Sequence, residues 1–192
     1  MFCGNLTYSY FREATSQGMT ALLSNSGIFT KVNVPKYLFV LSKNVQTLIN
    51  FVLTLAVFFV FCVIDQVTFT WRFFLLIYPI VILLVINIGV GMILSALYVF
   101  FRDMSYLWSV FTLLLMYLSA IFYTLDRFSP TIQRLFLCNP VYAIIKYFRV
   151  IVIDGNIPSP SYHLLLLFYA AVALGIGSLI YKRYNTKFLY YV

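Results

Sequence analysis

Long uncharged runs of apolar residues divide the chain and predict helices that cross a membrane. A helix needs about 20 predominantly apolar residues to span the hydrocarbon core of a bilayer. Four runs approach or exceed this length, so we predict spans at residues 45–64, 73–101, 104–125 and 164–181. The second run is longer than one crossing requires, so we expect it to tilt, to extend past the hydrocarbon core or to break, and Pro79 is the predicted site of a kink.

The residues before the first of these runs are more polar and predict a different organisation. Residues 1–23 contain charged side chains and predict only a partial membrane helix. Residues 24–44 contain the breakers Gly27 and Pro35 and predict a loop that carries a short helix. Ser24 or Asn25 is suited to cap the start of that helix.

The segment 126–162, between the third and fourth runs, is also irregular. Its apolar stretch 135–145 has only 11 residues, which is too short to span a bilayer. Asn139-Pro140 interrupts that stretch, because proline lacks a backbone donor and disfavours helix at the residue before it. We therefore predict two short re-entrant or interfacial helices here. The whole chain is predicted to be an all-α integral membrane protein, a bundle of about five membrane helices in one domain.

The composition agrees with this fold class and limits the partners of the protein. Hydrophobic residues make up 63% of the chain and charged residues 9%, whereas soluble domains carry about 25% charged residues. The net charge is +8, from 13 Lys and Arg against 5 Asp and Glu. Most basic residues lie at the ends of apolar blocks, a pattern typical of contact with lipid headgroups. We therefore expect membrane lipid, and not nucleic acid, as the partner of this charge.

The positions of the basic residues predict the orientation of the chain. Cytoplasmic loops of membrane proteins carry an excess of Lys and Arg. With the C-terminus inside, residues 24–44 and the tail 182–192 are cytoplasmic and the segment 126–162 is external. The inner side then holds Lys31, Lys36, Lys43, Arg102, Lys182, Arg183 and Lys187, against Arg72, Arg127, Arg134, Lys146 and Arg149 outside.

A search for reactive groups predicts no catalytic, cofactor-binding or metal site. The chain has no phosphate-binding GxxxxGK[ST] loop, and its three cysteines lack metal-ligand spacing. The four predicted spans contain no charged residue, which disfavours a proton-driven transporter. Gly91 and Ser95, like Ala171 and Gly175, have the spacing of close helix packing, either within the chain or at a dimer seam.

Several motifs in a fixed order carry a resemblance to a known family. Residues 10–51 hold the strongest likeness, followed by Arg102-Asp103, Asn139-Pro140 and the basic tail from Tyr181 to Tyr184. The first motif consists of Leu23, Asn25, Ile28, Lys31, Val32 and Pro35. Together they resemble the permease subunit of bacterial type-2 ABC exporters of cell-surface polysaccharide, which carry teichoic acid, lipopolysaccharide O-antigen or capsule. The likeness begins near the second span of that family, so we expect a chain that lacks the usual N-terminal region.

The resemblance implies a transport protein, not an enzyme. It implies a permease homodimer in the bacterial cytoplasmic (inner) membrane that moves a lipid-linked glycan, while a separate ATPase subunit binds ATP. The coupling helix that docks on this ATPase is implied to involve Ser24, Asn25, Ile28, Lys31, Val32 and Pro35. The glycan exit path is implied to involve Phe136, Tyr142, Tyr147 and Phe148, although these aromatic residues equally fit an interfacial belt.

Three other interpretations stay open at the level of sequence. A type-2 ABC permease for a drug or another lipid-like cargo would show the same pattern of helices. A membrane-embedded enzyme of lipid-linked sugar metabolism would need convergent acids, but the aspartates are scattered singly at positions 65, 103, 126 and 154. A structural membrane protein is the third.

Overall fold

The computed structural model describes residues 2–29, 34–64, 71–123, 125, 128–153, 155–184 and 188, and these residues form helices and no strand. A 3₁₀ helix, Trp71–Leu76, leads directly into the fourth α-helix. The α-helices are α1 (Phe2–Ser24), α2 (Ser26–Phe29), α3 (Tyr37–Ile64), α4 (Ile77–Phe100), α5 (Met104–Leu118), α6 (Pro130–Phe136), α7 (Pro140–Val152) and α8 (Pro160–Tyr184).

Three of the helical stretches in the described part of the chain are long and apolar enough to cross a membrane, and they cover three of the predicted spans except for residue 101. They are α3, the 3₁₀ helix with α4, and α8. The short helices α6 and α7 meet at an angle of 111°, as expected for a broken span or a re-entrant loop. The predicted fold class is therefore confirmed. Pro79 lies in the first turn of α4, three residues after the 3₁₀ helix ends, and a kink there stays a prediction.

The predicted span 104–125 is too long, because α5 ends at Leu118. A helix of 15 residues reaches only about 22 Å, less than the ~30 Å hydrocarbon core. Ala120 has a φ of 47°, in the left-handed region that a right-handed helix cannot accommodate. The chain therefore turns away after α5 although its residues remain apolar.

The helix that the sequence presents as the weakest lies at the centre of the bundle. Thirteen of the 23 residues of α1 are buried, compared with seven of the 28 residues of α3. Helix α1 packs against α3, α4 and α7, and α4 packs in turn against α8. The predicted partial helix at residues 1–23 is thus a regular helix in the core.

Glycines allow the central helices to approach almost to backbone contact. A Cβ atom built on Gly18 of α1 would lie 3.0 Å from the Cα of Gly91 on α4. A Cβ on Gly89 would lie 2.4 Å from the carbonyl carbon of Ala173 on α8. Gly91 therefore serves packing within this chain, whereas a Cβ on Gly175 would meet no atom within 4 Å.

The bundle has two distinct ends, which we call the α2 end and the α7 end. Gly4, at the start of α1, lies against Ile145 and Arg149 of α7. Ser24, the last residue of α1, leads into α2. The 20 residues from Gly4 to Ser24 span about 30 Å at about 1.5 Å per residue, close to the thickness of the hydrocarbon core. The α2 end and the α7 end are thus about one bilayer core apart.

Candidate functional site

The predicted coupling segment forms one helical turn at the α2 end. Helix α2 covers only four residues, and within it the side chain of Ile28 is 51% exposed. Pro35 is exposed just before α3 begins. Lys31 and Val32 lie outside the described residues. Among the side chains of this segment that the structure describes, Ile28 is the large apolar one that is exposed.

The two polar residues before Ile28 bind backwards onto α1 and do not cap α2. The Ser24 hydroxyl donates to the carbonyl of Thr20 at 2.9 Å. The Asn25 amide nitrogen donates to the carbonyl of Ala21 at 2.8 Å. The Ala21 carbonyl is one of the last four of α1, which have no partner within the helix, whereas the Ser24 bond to Thr20 lies inside α1. Both side chains therefore bond to α1, and the predicted capping role is wrong.

The predicted break at Asn139-Pro140 is confirmed, and it starts α7. Pro140 is the first residue of that helix, where its missing N–H costs no hydrogen bond. The Asn139 side-chain oxygen accepts from the backbone N–H of Val141 at 3.0 Å and caps the helix. The two short helices predicted for this segment are α6 and α7; their external location stays a prediction.

Two side chains of this segment also hold the end of α5, a function that the sequence analysis missed. The Asn139 amide donates to the carbonyl of Leu118 at 3.2 Å and to the Ser119 hydroxyl at 3.0 Å. The Arg149 guanidinium donates to the carbonyls of Ala120 at 2.8 Å and Ile121 at 3.0 Å. These bonds satisfy backbone acceptors where α5 stops. The sequence offered no signal for this long-range pairing beyond the presence of an arginine.

Most of the four aromatic residues predicted for the glycan exit are buried in this single chain. Tyr142, Tyr147 and Phe148 are at most 3% exposed, and Phe136 is half-buried. The Phe136 and Tyr142 rings lie 5.6 Å apart in an edge-to-face arrangement. The Tyr147 hydroxyl pairs with Nε2 of His163 at 2.9 Å, which ties α7 to α8. The structure thus brings Phe136 and Tyr142 together and places Tyr147 and Phe148 in the core. The role of these four residues at an exit stays a prediction.

A polar face on α1 is a second feature that the sequence analysis missed. Its members recur three or four residues apart and are exposed, although α1 runs through the middle of the bundle; they are Asn5, Ser9, Arg12, Glu13 and Gln17. The helical spacing of these residues was the available signal. The mean hydropathy of α1 does not reveal this face, because it averages polar and apolar residues around the helix.

The polar face of α1 continues onto α3 across a narrow groove. The groove has a volume of about 140 Å³, and Asn5, Ser9 and Glu13 line its α1 side. Asn50 and Thr54 line its α3 side, and the Asn50 amide lies 3.5 Å from a Glu13 carboxylate oxygen. Asn50 is near the middle of α3, so this polar surface lies along the membrane-spanning part of the bundle and not at one of its ends.

Charged side chains at that depth cannot simply face hydrocarbon. Ionisable residues within membrane helices almost always face a protein interior or a water-filled cavity, because exposure to lipid is costly. Arg12 and Glu13 lie halfway along α1 and are exposed in the single chain. This surface therefore requires water or another protein surface beside it.

The comparisons with known proteins identify the family. Residues 15–153 match the family described as ABC-2 type transporter, and this range covers more than half of the chain. The chain therefore belongs to the ABC-2 type transporter family, and the resemblance found in the sequence is confirmed. It is a membrane-spanning permease of a transporter, which argues against the embedded-enzyme and structural interpretations.

The matching curated proteins are permeases of one kind. The chain is 25% identical to the O-antigen export system permease protein RfbA of Myxococcus xanthus. It is 22% identical to the protein of the same name from Klebsiella pneumoniae. Each match covers 98% of this chain and 73% of the relative.

Proposed function

We propose that this chain is the membrane subunit of an ATP-driven exporter that moves a lipid-linked polysaccharide across the bacterial cytoplasmic membrane. The observation that carries this proposal is the match of almost the whole chain to permeases named for O-antigen export. ATP is bound and hydrolysed by a separate ATPase subunit, and two copies of the permease form the path.

The polar face of α1 supports a path between two copies. If this face were turned to lipid, Arg12 and Glu13 would be exposed to hydrocarbon. If two copies turn these faces toward each other, the same residues line a hydrated passage. Asn5, Ser9 and Gln17 then offer hydroxyl and amide groups to the hydroxyls of a sugar chain.

The two predicted sites are assigned to opposite ends of this path. At the α2 end, Ile28 supplies an exposed apolar contact for the ATPase, in a segment that also contains Lys31, Val32 and Pro35. At the α7 end, Phe136 is the accessible aromatic residue of the exit set. The buried rings of that set contact the glycan only when α7 moves away from α1 and α8.

Deletion of the gene in the source cell tests the cargo. We expect surface polysaccharide to disappear and lipid-linked glycan to accumulate inside, with both effects reversed by the wild-type gene. The tagged chain should also co-purify with a subunit that binds ATP. Unchanged surface glycan together with increased drug sensitivity would assign a drug-like cargo instead.

Cysteine accessibility tests the passage itself. Cys138 is exposed and Cys3 and Cys62 are buried, so Cys138→Ser provides a suitable background. We expect Ser9→Cys to react with a water-soluble maleimide in membranes. Leu53→Cys is the control, because Leu53 is 64% exposed on the apolar surface of α3 and should not react. Equal reactivity of the two positions would rule out a hydrated face on α1.

A further inference from the structure

An open apolar groove lies between α3, α4 and α8 on the surface of the bundle. It has a volume of about 820 Å³, and its walls include Leu41 of α3, Ile88 and Met92 of α4, and Leu174 of α8. Gly175 belongs to the same lining, and a Cβ atom there would meet nothing within 4 Å. Along α8 the groove is therefore unfilled by the protein itself.

The groove has the length of one leaflet of a bilayer. It follows α8 from Ala171 to Lys182, a distance of about 16 Å at about 1.5 Å per residue. Half of a ~30 Å hydrocarbon core is about 15 Å. The groove thus runs from the middle of the membrane to the α2 end, where an acyl chain of that leaflet would also run.

Two lysines lie at the α2 end of the groove. Lys182 is exposed in the last turn of α8, and Lys36 precedes α3 and is 7% exposed. The Lys36 Nζ lies 5.6 Å from the centre of the Phe188 ring. Burial lowers the pKa of the Lys36 ammonium, so a nearby anion would favour its charged form. The groove is therefore apolar along its length and basic at the level of the headgroups.

We propose that this groove binds an anionic glycerophospholipid. One acyl chain lies along Leu174 and Gly175, and the phosphate of the headgroup lies between Lys36 and Lys182. A second copy of the chain fits the same surface poorly. A two-fold interface places identical patches against each other and would bring four lysines together at one end of the contact.

Photolabelling of the full chain in phosphatidylcholine vesicles tests the site. The probe is phosphatidylglycerol with a diazirine in one acyl chain, competed with unlabelled phosphatidylglycerol or phosphatidylcholine. We expect labels within residues 171–178 of α8, and competition by the anionic lipid alone. Lys182→Gln should reduce labelling about fivefold, the effect of one lysine near an anionic headgroup. Arg183→Gln is the matched control, because the neighbouring Arg183 is exposed but does not line the groove.

A second pair of variants tests the contribution of the apolar groove separately from that of its lysines. Gly175→Leu adds a side chain to the groove at a position where a Cβ atom meets no atom within 4 Å, and it should abolish labelling. Val172→Leu, outside the lining, should leave labelling unchanged. Equal competition by phosphatidylcholine, or wild-type labelling of Gly175→Leu, would overturn the proposal. Displacement of the probe by inorganic phosphate alone would assign a free anion instead. A disulfide between two copies of Ser178→Cys, in the Cys138→Ser background, would assign the groove to a second copy.

Discussion

Helices α1 and α3 lie side by side and show opposite relations between hydrophobicity and burial. Helix α1 contains Arg12, Glu13 and several hydroxyl residues, yet most of its length is buried against other helices. Helix α3 has a predominantly apolar sequence, yet three quarters of its residues are outside the buried set. In a membrane, apolar side chains are as well solvated by lipid as by protein. In this pair of helices, the more apolar sequence therefore has the larger surface for lipid, and the helix with small and polar residues has the larger contact with protein.

The residues that each helix buries follow this distinction. Helix α1 packs through small residues that let neighbouring backbones approach, including Gly4, Ala14, Gly18 and Ala21. Helix α3 buries a single narrow stripe whose members are three or four residues apart: Val40, Asn44, Thr47, Phe51, Leu55, Phe58 and Cys62. One seam is enough to attach α3 to the bundle, whereas α1 is enclosed on several sides.

The largest effect is expected where α1 crosses α4. Gly18→Val adds a Cβ atom 3.0 Å from the Gly91 Cα, together with two methyl groups, and it must push the helices apart. We expect a loss of about 3 kcal/mol in the free energy of unfolding, measured as thermal stability in detergent. Ala56→Val on the exposed surface of α3 is the control and should change stability by less than about 0.5 kcal/mol. Similar stability of the two variants would contradict the close crossing.

A matched pair of leucines on α3 tests the single buried seam. Leu55 is 9% exposed and Leu53 is 64% exposed, although they are two residues apart. Leu55→Ala leaves a cavity and should cost about 2 kcal/mol, whereas Leu53→Ala only changes contact with lipid or detergent and should cost less than about 0.5 kcal/mol. The same thermal assay checks both. A larger loss for Leu53→Ala would mean that the opposite face of α3 is packed.

The smallest effect concerns a hydrogen bond of α1. The Tyr8 hydroxyl donates to the carbonyl of Thr112 on α5 at 2.6 Å, whereas the Thr54 hydroxyl on α3 donates to Asn50 within its own helix. Tyr8→Phe removes this hydrogen bond between α1 and α5 and should lower the free energy of unfolding by about 0.6 kcal/mol. Thr54→Val should leave the free energy of unfolding almost unchanged. Unfolding of the two variants in the same detergent measures the difference. Equal losses would mean that the Tyr8 bond contributes nothing beyond a local one.

Much of the fold could be predicted from local patterns, but the packing could not. The lengths of the uncharged runs predicted α3, α4 and α8, and the Asn139-Pro140 pair predicted the break before α7. The end of α5 could not be predicted, because residues after Leu118 stay apolar. The turn at Ala120 is held by Arg149, which lies far away in the sequence.

The candidate sites show the same limit. The coupling and exit residues came from a family resemblance, and the structure tells which of them are exposed: Ile28 is, and Tyr147 and Phe148 are not. The polar face of α1 could have been found from its helical spacing. It was missed because mean hydropathy averages a polar face with an apolar one.

The proposed association of the permease with a separate ATPase subunit tests the central claim most directly. The measurement is the amount of ATP-binding subunit that co-purifies with tagged Ile28→Asp, relative to the wild type, at equal amounts of permease in the membrane. Ile153→Asp is the control, because Ile153 follows α7 at the opposite end of the bundle and is 67% exposed, against 51% for Ile28. We predict that Ile28→Asp loses the ATPase and polysaccharide export while Ile153→Asp keeps the ATPase. Retention of the ATPase by Ile28→Asp, at the level of the wild type, would contradict docking through α2.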